Sequence, residues 1–354
     1  MSARPPAANR SRRRGASSRP LAVPEPAFVP PYPPSWWDRM TAQIERLPGP
    51  YWAPYLIGLL VVLGAGAALA SLTGGALSVR AVYNLTLPLY GFWLLHYLDR
   101  KAAGALQEYR PAFVGGEAEI HDIRWRLTTL PAVPALGLTL MALLVGLAVS
   151  TPWGWSPASQ VLDRIAFIVT VVFAVLYAYH SLRQLRLVTR LYADRTRVDL
   201  HAAGPVYAFS TLSAHTAMGM LFLLSGAVVI TPDGLVGGWL TGAIAFAALA
   251  VLAFLLPLMG LHRRLAEAKD AELVEIGRRW QVCMAEVYRC LDAGEMEAVH
   301  AANTALSALE RGRVAIERIP TWPWRAETLR SLVAALILPV ILSVLQYALR
   351  RTFG

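Results

Sequence analysis

The side chains best suited to metal binding and nucleophilic catalysis are few and widely spaced in this sequence. Cys283 and Cys290 are the only cysteines, and a separation of seven residues is not a metal-binding spacing. No two of the seven histidines stand four residues apart, so none forms a chelating pair on a helix. The common nucleotide-binding, zinc-protease and hydrolase motifs are absent, which predicts a protein that is not an enzyme and has no metal site or cofactor. His96 and His180 fall near the inner ends of two apolar segments, where they form either a shared site or ordinary helix-packing hydrogen bonds.

Neutral polar side chains gather at the start of one long apolar segment. No Asp, Glu, Lys or Arg lies near the middle of any apolar segment, which disfavours an ion-coupled transporter. The cluster either lines a wet cavity or joins neighbouring helices by hydrogen bonds, and the sequence supports both equally. The candidate cavity residues are Ser210, Ser213, His215 and Thr216.

The last apolar segment carries a stripe of residues at helical spacing. Its outer half is polar and its inner half contains leucines, the arrangement of a wet vestibule above a constriction that gates by dewetting. A proline within the stripe interrupts the helical hydrogen bonds and would allow a bend. Alternatively, Ser343 and Gln346 bond to a neighbouring helix or reach the outer interface, which the sequence slightly favours. The candidate pore-lining residues are Leu332, Leu336, Pro339, Ser343, Gln346 and Arg350.

Tryptophans and prolines alternate just before this segment, in the stretch IPTWPW. The residue before a proline is pushed out of the helical conformation, so Pro320 and Pro323 should separate two helices. Trp322 and Trp324 then lie shortly before the apolar segment. Indole rings in that position predict an anchor at headgroup depth.

The elements that position these residues follow from composition. Of 354 residues, 56% are hydrophobic and 16% are charged, and mean hydropathy is +0.44, too apolar for a soluble chain. A helix of about 20 residues crosses about 30 Å of hydrocarbon and satisfies its own backbone. The sequence therefore predicts an all-α, polytopic membrane helix bundle with seven transmembrane helices. The uncharged blocks are 47–79, 81–98, 127–162, 165–182, 200–232, 234–261 and 331–349.

Basic residues set the predicted orientation, because loops rich in Arg and Lys stay on the cytoplasmic side. With the N-terminus inside, 29 of the 33 basic residues lie inside. This predicts a multi-pass protein of the cell membrane, the inner membrane of a bacterium, with its C-terminus outside. The net charge of +10 then faces anionic lipid, so no nucleic-acid partner is needed to explain it.

A helical hairpin is predicted between the sixth and seventh spans. Apolar residues from 273 to 290 follow the 3-4 spacing of a packed seam, which favours a packing role for the cysteines over a redox role. Gly294 is suited to the left-handed conformation that ends a helix. The residues predicted to pack or assemble on this seam are Leu273, Ile276, Trp280, Cys283, Val287 and Cys290. The returning helix is expected to bury Met296, Val299, Leu306, Leu309 and Ile316.

The chain therefore divides into four regions. Residues 1–35 are rich in Pro and Arg and predict a disordered cytoplasmic tail. Residues 36–261 hold transmembrane helices 1–6 with long inner extensions, of which the extension of span 4 is expected to pack beside the hairpin. Residues 262–325 form the cytoplasmic helical hairpin, and 326–354 hold transmembrane helix 7 and the outside C-terminus.

Two resemblances accompany these patterns. The box IPTWPWRAETLR resembles that of uncharacterised prokaryotic membrane proteins of similar length. The layout is similar to that of the insect odorant and gustatory receptors, a superfamily of seven-helix cation channels with an inside N-terminus and long inner helices. In that superfamily the last helix bears Gln-Phe, which Gln346 and Tyr347 resemble, while Pro339 and Val340 depart from the first half of the motif. The resemblance implies a tetramer, a small-molecule ligand and a pore lined by the last helix.

Two main functions follow from these patterns, ahead of a transporter and a membrane-embedded enzyme. The first is an oligomeric, ligand-gated cation channel of chemoreceptor-like architecture. The second is a non-conducting membrane scaffold or signalling partner that acts through its cytoplasmic helices. The expected partners are the lipid bilayer and further copies of the chain, with no nucleic acid.

Overall fold

The computed structural model describes residues 28–72, 77, 79–150, 160–230 and 238–353. That part of the chain is almost entirely helical, and it has no strand beyond two isolated bridges between loops. The all-α prediction is confirmed for these residues. Their ten helices are α1 (Trp36–Ile44), α2 (Ala53–Leu72), α3 (Val79–Tyr109), α4 (Glu117–Thr128), α5 (Ala132–Ser150), α6 (Gln160–Asp194), α7 (Ala208–Ile230), α8 (Gly238–Ala293), α9 (Met296–Glu317) and α10 (Ala326–Phe353).

Six of the described helices are long and apolar enough to cross a membrane: α2, α5, α6, α7, α8 and α10. The helix α3 is not among them, because Asn84, Pro88, His96 and several tyrosines lower the hydropathy of its apolar part. It nevertheless packs against α2, α6 and α7. The prediction of a membrane helix bundle is confirmed, whereas a seventh span stays a prediction.

Glycines let α3 approach its neighbours closely. A Cβ atom on Gly91 would lie 2.5 Å from the ring of Phe173 on α6, so a larger residue cannot fit there without a shift. Gly226 of α7 faces the ring of Tyr83 in the same way. The Tyr83 hydroxyl donates to the Leu223 carbonyl at 3.1 Å, which adds a hydrogen bond to this contact.

Most helices begin or end at one end of the bundle, which we call the polar end. There α3 and α6 end, and α2, α5, α7 and α10 begin. Backbone hydrogen bonds tie its loops together, from Ser35 N to Leu130 O (3.0 Å) and from Val114 N to Arg195 O (2.9 Å). The groups that could do chemistry collect at this end because the apolar middles of the helices exclude them.

The start of α1 belongs to the folded bundle. Ser35 and Asp38 form a capping box, and the same carboxylate accepts from the Leu130 backbone N–H at 3.0 Å. Burial raises the pKa of Asp38 above its ordinary value, while its hydrogen bonds with Ser35 oppose that rise. Residues 28–35 of the predicted tail are thus part of the described fold, and residues 1–27 lie outside the described residues.

A continuous helix of 56 residues, α8, leaves the bundle and pairs with α9. Between them Gly294 has φ of +73°, which confirms the left-handed turn predicted for it. Lys269 donates to the carbonyls of Glu317 (2.6 Å) and Ile319 (3.0 Å) and so caps the end of α9. Beyond Lys269, α8 extends about 36 Å at 1.5 Å per residue. We call this part of α8 together with α9 the hairpin.

Candidate functional site

A buried hydrogen-bonded triad joins α3 to α6 at the polar end. Oδ1 of Asp99 lies 2.6 Å from Nε2 of His180 and accepts from Nε2 of Gln184 at 3.2 Å. The Gln184 amide also donates to the Leu127 carbonyl at 2.8 Å, which brings the end of α4 into the network. His180 and Gln184 are each 1% exposed, so the loss of a hydrogen-bond partner from either side chain is costly.

A second histidine–carboxylate pair lies one turn away along α3. His96 is 3% exposed; its Nε2 lies 3.2 Å from Oε1 of Glu45, and its Nδ1 lies 3.0 Å from the Tyr55 hydroxyl. Arg100 donates to the same carboxylate at 3.0 Å. Burial alone would raise the pKa of Glu45, but the hydrogen bonds and charges of His96 and Arg100 outweigh it and hold that pKa below its ordinary value.

A cavity of about 410 Å³ opens beside these two pairs, and we call it the polar cavity. Imidazole, carboxylate, guanidinium and hydroxyl groups line it, so it can hold a small polar ligand or pass protons between histidine and carboxylate groups. Within the described residues, no three His, Cys, Asp or Glu side chains are grouped to hold a metal ion. Its lining includes Thr41, Glu45, His96, Asp99, Arg124 and Thr128.

The tryptophan box fastens the α9–α10 connection to α8 through stacked rings. His262 stacks on Trp322 at a centroid distance of 4.0 Å, and Trp322 stacks on Trp324 at 4.5 Å. Phe254 completes the stack, 5.7 Å from Trp324. The helix break predicted from the prolines is confirmed, since eight residues separate α9 from α10. Headgroup depth for the two indoles stays a prediction.

The predicted pore stripe lies on the side of α10 that packs within the chain. Its five described side chains are buried or half-buried, and α7 is the main neighbour of α10. They are Leu332, Leu336, Pro339, Ser343 and Gln346. Arg350 lies near the end of α10, and its side chain is outside the described set. The other side of α10 exposes apolar side chains, among them Val333, Ile337, Val340, Val344 and Tyr347.

The polar cluster of α7 makes its hydrogen bonds within its own helix. Ser210, Ser213 and Thr216 are at most 1% exposed and donate to carbonyls three or four residues earlier. His215 is half-buried, bonds to its own helix backbone at 2.7 Å and lies 5.5 Å from the Tyr97 ring, centroid to centroid. These side-chain hydrogen bonds do not join neighbouring helices, and both the wet cavity and the helix-interface role of the cluster stay predictions.

The predicted seam of the hairpin faces α9. Ile276 and Cys290 are buried and the other seam residues are half-buried, while Leu306 and Ile316 are buried on α9. Met296 is 69% exposed, so its predicted burial is wrong: it is the first residue of α9, at the turn. The apolar side chains of the candidate assembly residues therefore pack against α9 of the same chain. Those residues are Ile276, Trp280, Cys283 and Val287.

Shortening a seam residue should loosen the hairpin. We expect Ile276→Ala to destabilise it by about 2 kcal/mol, because the substitution leaves a cavity between α8 and α9. Val274→Ala, at a side chain that is 72% exposed, should cost less than about 0.5 kcal/mol. Hydrogen exchange of the α9 amides in the purified protein measures the difference. Equal protection in both variants would show that the seam does not hold the hairpin.

His96 and His180 are identified as candidate site residues from the sequence, but their hydrogen-bond partners are not. Asp99 stands three residues after His96, and Gln184 stands four residues after His180, so each pair shares a helix face. Those spacings are the signal that could have found the triad. Glu45 carries no such signal, because it reaches His96 only through the packing of α1 beside α3.

The chain matches no protein-family model, no curated protein and no solved structure. Its class therefore rests on its own helices and site. It is an all-α, multi-pass membrane protein with a buried polar network at one end of its bundle and a hairpin that extends beyond that end.

Proposed function

We propose that this membrane protein is a docking protein, in which the bundle anchors the chain and the hairpin binds another protein. The exposed apolar surface of the hairpin carries the proposal. Val274, Val282 and Tyr288 are 72%, 60% and 61% exposed. At 100° per residue Val274 and Val282 lie on the side of α8 away from the seam, whereas Tyr288 lies on its flank. The exposure of all three side chains means that α9 does not cover them. Exposed apolar groups mark a protein-binding surface where they join into one patch, and the proposal requires this of these three side chains.

Charge favours a protein over lipid as the partner of this surface. Residues 270–318 contain nine acidic and six basic residues, whereas the whole chain has 23 acidic and 33 basic ones. A net acidic hairpin is repelled by an anionic lipid surface. If the hairpin faces the cytoplasm, as the basic loops of the sequence predict, the partner is a cytoplasmic protein.

A ligand-gated cation channel, assembled as a homo-oligomer and expected to be a tetramer, is the second candidate. Pro339 inside α10 favours it, because a bend there would let the outer part of the helix turn. The polar cavity would then be the ligand site. The packing of the polar stripe on α7 weighs against this candidate, since the stripe would have to leave α7 to line a pore.

Complexes in solubilised membranes test the docking proposal. We expect the wild-type chain of 38.6 kDa to elute with a second polypeptide, and the double variant Val274→Ser/Val282→Ser to elute without it. Val114→Ser, at a 53% exposed valine outside the hairpin, is the matched control and should keep the complex. Wild type without a second polypeptide, or equal complexes in all three proteins, would contradict the proposal.

Planar-bilayer recording separates the two candidates. The docking proposal expects no conductance from the purified chain or from Gln346→Leu. The channel candidate expects a conductance that changes in Gln346→Leu and in Leu336→Ser.

A further inference from the structure

A second groove lies at the polar end, between α3, α7 and the start of α10. Its volume is about 540 Å³, within the range of small-molecule sites. The cations Arg100, Lys101 and Arg325 line it, together with one carboxylate, Glu108, among the described residues. Arg325 lies 3.7 Å from Glu108 and Arg100 donates to Glu45 at 3.0 Å, so the five groups together carry one net positive charge. We call it the basic groove, and it attracts anions.

Aromatic rings hold two of these cations in position. The Arg100 guanidinium lies 4.7 Å from the centroid of the Tyr51 ring, and the Lys101 ammonium lies 5.4 Å from that of Tyr97. A cation–π contact orients the cation and leaves its charge in place, and of these two cations only Arg100 also has an ion pair, with Glu45. Both rings also line the basic groove, so the groove offers positive charge on semi-rigid walls.

An apolar cavity lies beside the basic groove. One turn along α3, Trp93 stacks on Tyr97 with 5.4 Å between ring centroids. Trp93 also lines a cavity of about 240 Å³ between α2 and α3 whose lining is almost entirely apolar. On the opposite wall the consecutive residues Tyr51 and Trp52 line the basic groove and the apolar cavity respectively. Since α2 is long and apolar enough to cross a membrane, the apolar cavity lies on the hydrocarbon side of the basic groove.

We propose that the basic groove and the apolar cavity together bind one anionic phospholipid. Its phosphate would lie among Arg100, Lys101 and Arg325, and an acyl chain would fill the cavity between α2 and α3. Phosphate oxygens accept strong, charge-assisted hydrogen bonds from Arg and Lys. A soluble phosphate ester would leave the apolar cavity empty, and a zwitterionic lipid would bring a further positive charge to the three cations. The chemistry of both parts therefore selects an anionic phospholipid, and this site is independent of the hairpin.

Binding of tail-labelled phosphatidylglycerol to the full-length protein in zwitterionic detergent tests the proposal. The double variant Lys101→Gln/Arg325→Gln should bind it about tenfold or more weakly, because two charge-assisted contacts are lost. Arg186→Gln/Arg190→Gln removes the same charge from exposed positions of α6 at the same end. This matched control should change the affinity by less than about twofold.

A charge-preserving variant separates lost charge from lost folding. Lys101→Arg/Arg325→Lys keeps both cations and should bind phosphatidylglycerol within about threefold of the wild-type affinity. A loss in this variant as large as that in Lys101→Gln/Arg325→Gln would mean that charge is not the cause, and the proposal would fail.

Two further ligands decide the identity of the anion. Phosphatidylcholine should bind about tenfold more weakly than phosphatidylglycerol, and glycerol phosphate should compete poorly with it. Equal binding of the two lipids, or equal losses in both Gln variants, would overturn the proposal. Glycerol phosphate that binds as tightly as phosphatidylglycerol would identify a site for soluble phosphate esters and would make the lipid assignment wrong.

Discussion

Replacing Asp99 by alanine should lower the free energy of unfolding by about 3 kcal/mol. The carboxylate is the shared acceptor of His180 and Gln184, and both are 1% exposed. Without it the His180 Nε2 loses its acceptor and the Gln184 amide keeps only the Leu127 carbonyl, so the contact of α3 with α6 weakens. Unfolding of the purified protein by denaturant in mixed micelles measures the loss.

The conservative variant provides the control for this expectation. Asp99→Asn keeps an acceptor oxygen at the same place and should cost about 1 kcal/mol. A cost below about 0.5 kcal/mol for Asp99→Ala, or equal costs for the two variants, would show that the triad does not hold α3 to α6.

Enlarging Gly91 should destabilise the bundle by about 3 kcal/mol when leucine is introduced. The new Cβ atom alone would lie 2.5 Å from the ring of Phe173, which is 2% exposed and cannot swing into solvent. The helices α3 and α6 would have to separate, and their separation would also strain the Asp99–His180 pair. The same unfolding assay measures the change.

A second glycine of α3 serves as the control for Gly91→Leu. Outside the two residues next to it and its own helix backbone, Gly104 has no atom within 4 Å of the place where its Cβ would be. Gly104→Leu should therefore be neutral or should stabilise the helix by up to about 1 kcal/mol. Equal destabilisation by both substitutions would show that the close contact of Gly91 with Phe173 does not hold the two helices together.

Features governed by local chemistry are the ones that the sequence predicts well here. Gly294 ends α8 in the left-handed conformation because only glycine adopts it without strain. The seam from Leu273 to Cys290 is visible as a 3-4 repeat because a helix that buries one face must repeat in that way. The length of an apolar block predicts a helix that crosses a membrane because such a helix must span the hydrocarbon layer.

Features that depend on which helices become neighbours cannot be predicted from the sequence pattern of a single helix. The stripe from Leu332 to Gln346 identifies a face of α10, but not that α7 covers this face. Similarly, Glu45 meets His96 only because α1 packs beside the middle of α3. The polar residues in the middle of α3 lower its hydropathy. They are tolerated there because α3 packs among other helices.

Charge patterns have a similar limit. The number of arginines between the sixth and seventh spans predicts the side of the membrane, but it hides the excess of acidic residues over 270–318. That excess matters only once the structure places α8 and α9 in a hairpin with Val274 and Val282 exposed. The docking proposal therefore combines a sequence property with a surface that only the fold defines.

Photo-cross-linking from the hairpin in intact cells tests the docking proposal most directly. A benzophenone amino acid in place of Val282, on the exposed face of α8, should give one adduct of discrete mass with a second protein. Val274→Ser, which like Val282 lies on the side of α8 away from the seam, should abolish that adduct, and the same photoreactive residue in place of Val114 should not form it. Adducts with lipid alone, adducts made only with further copies of this chain, or no adduct from position 282 would contradict the proposal that the hairpin docks a partner protein.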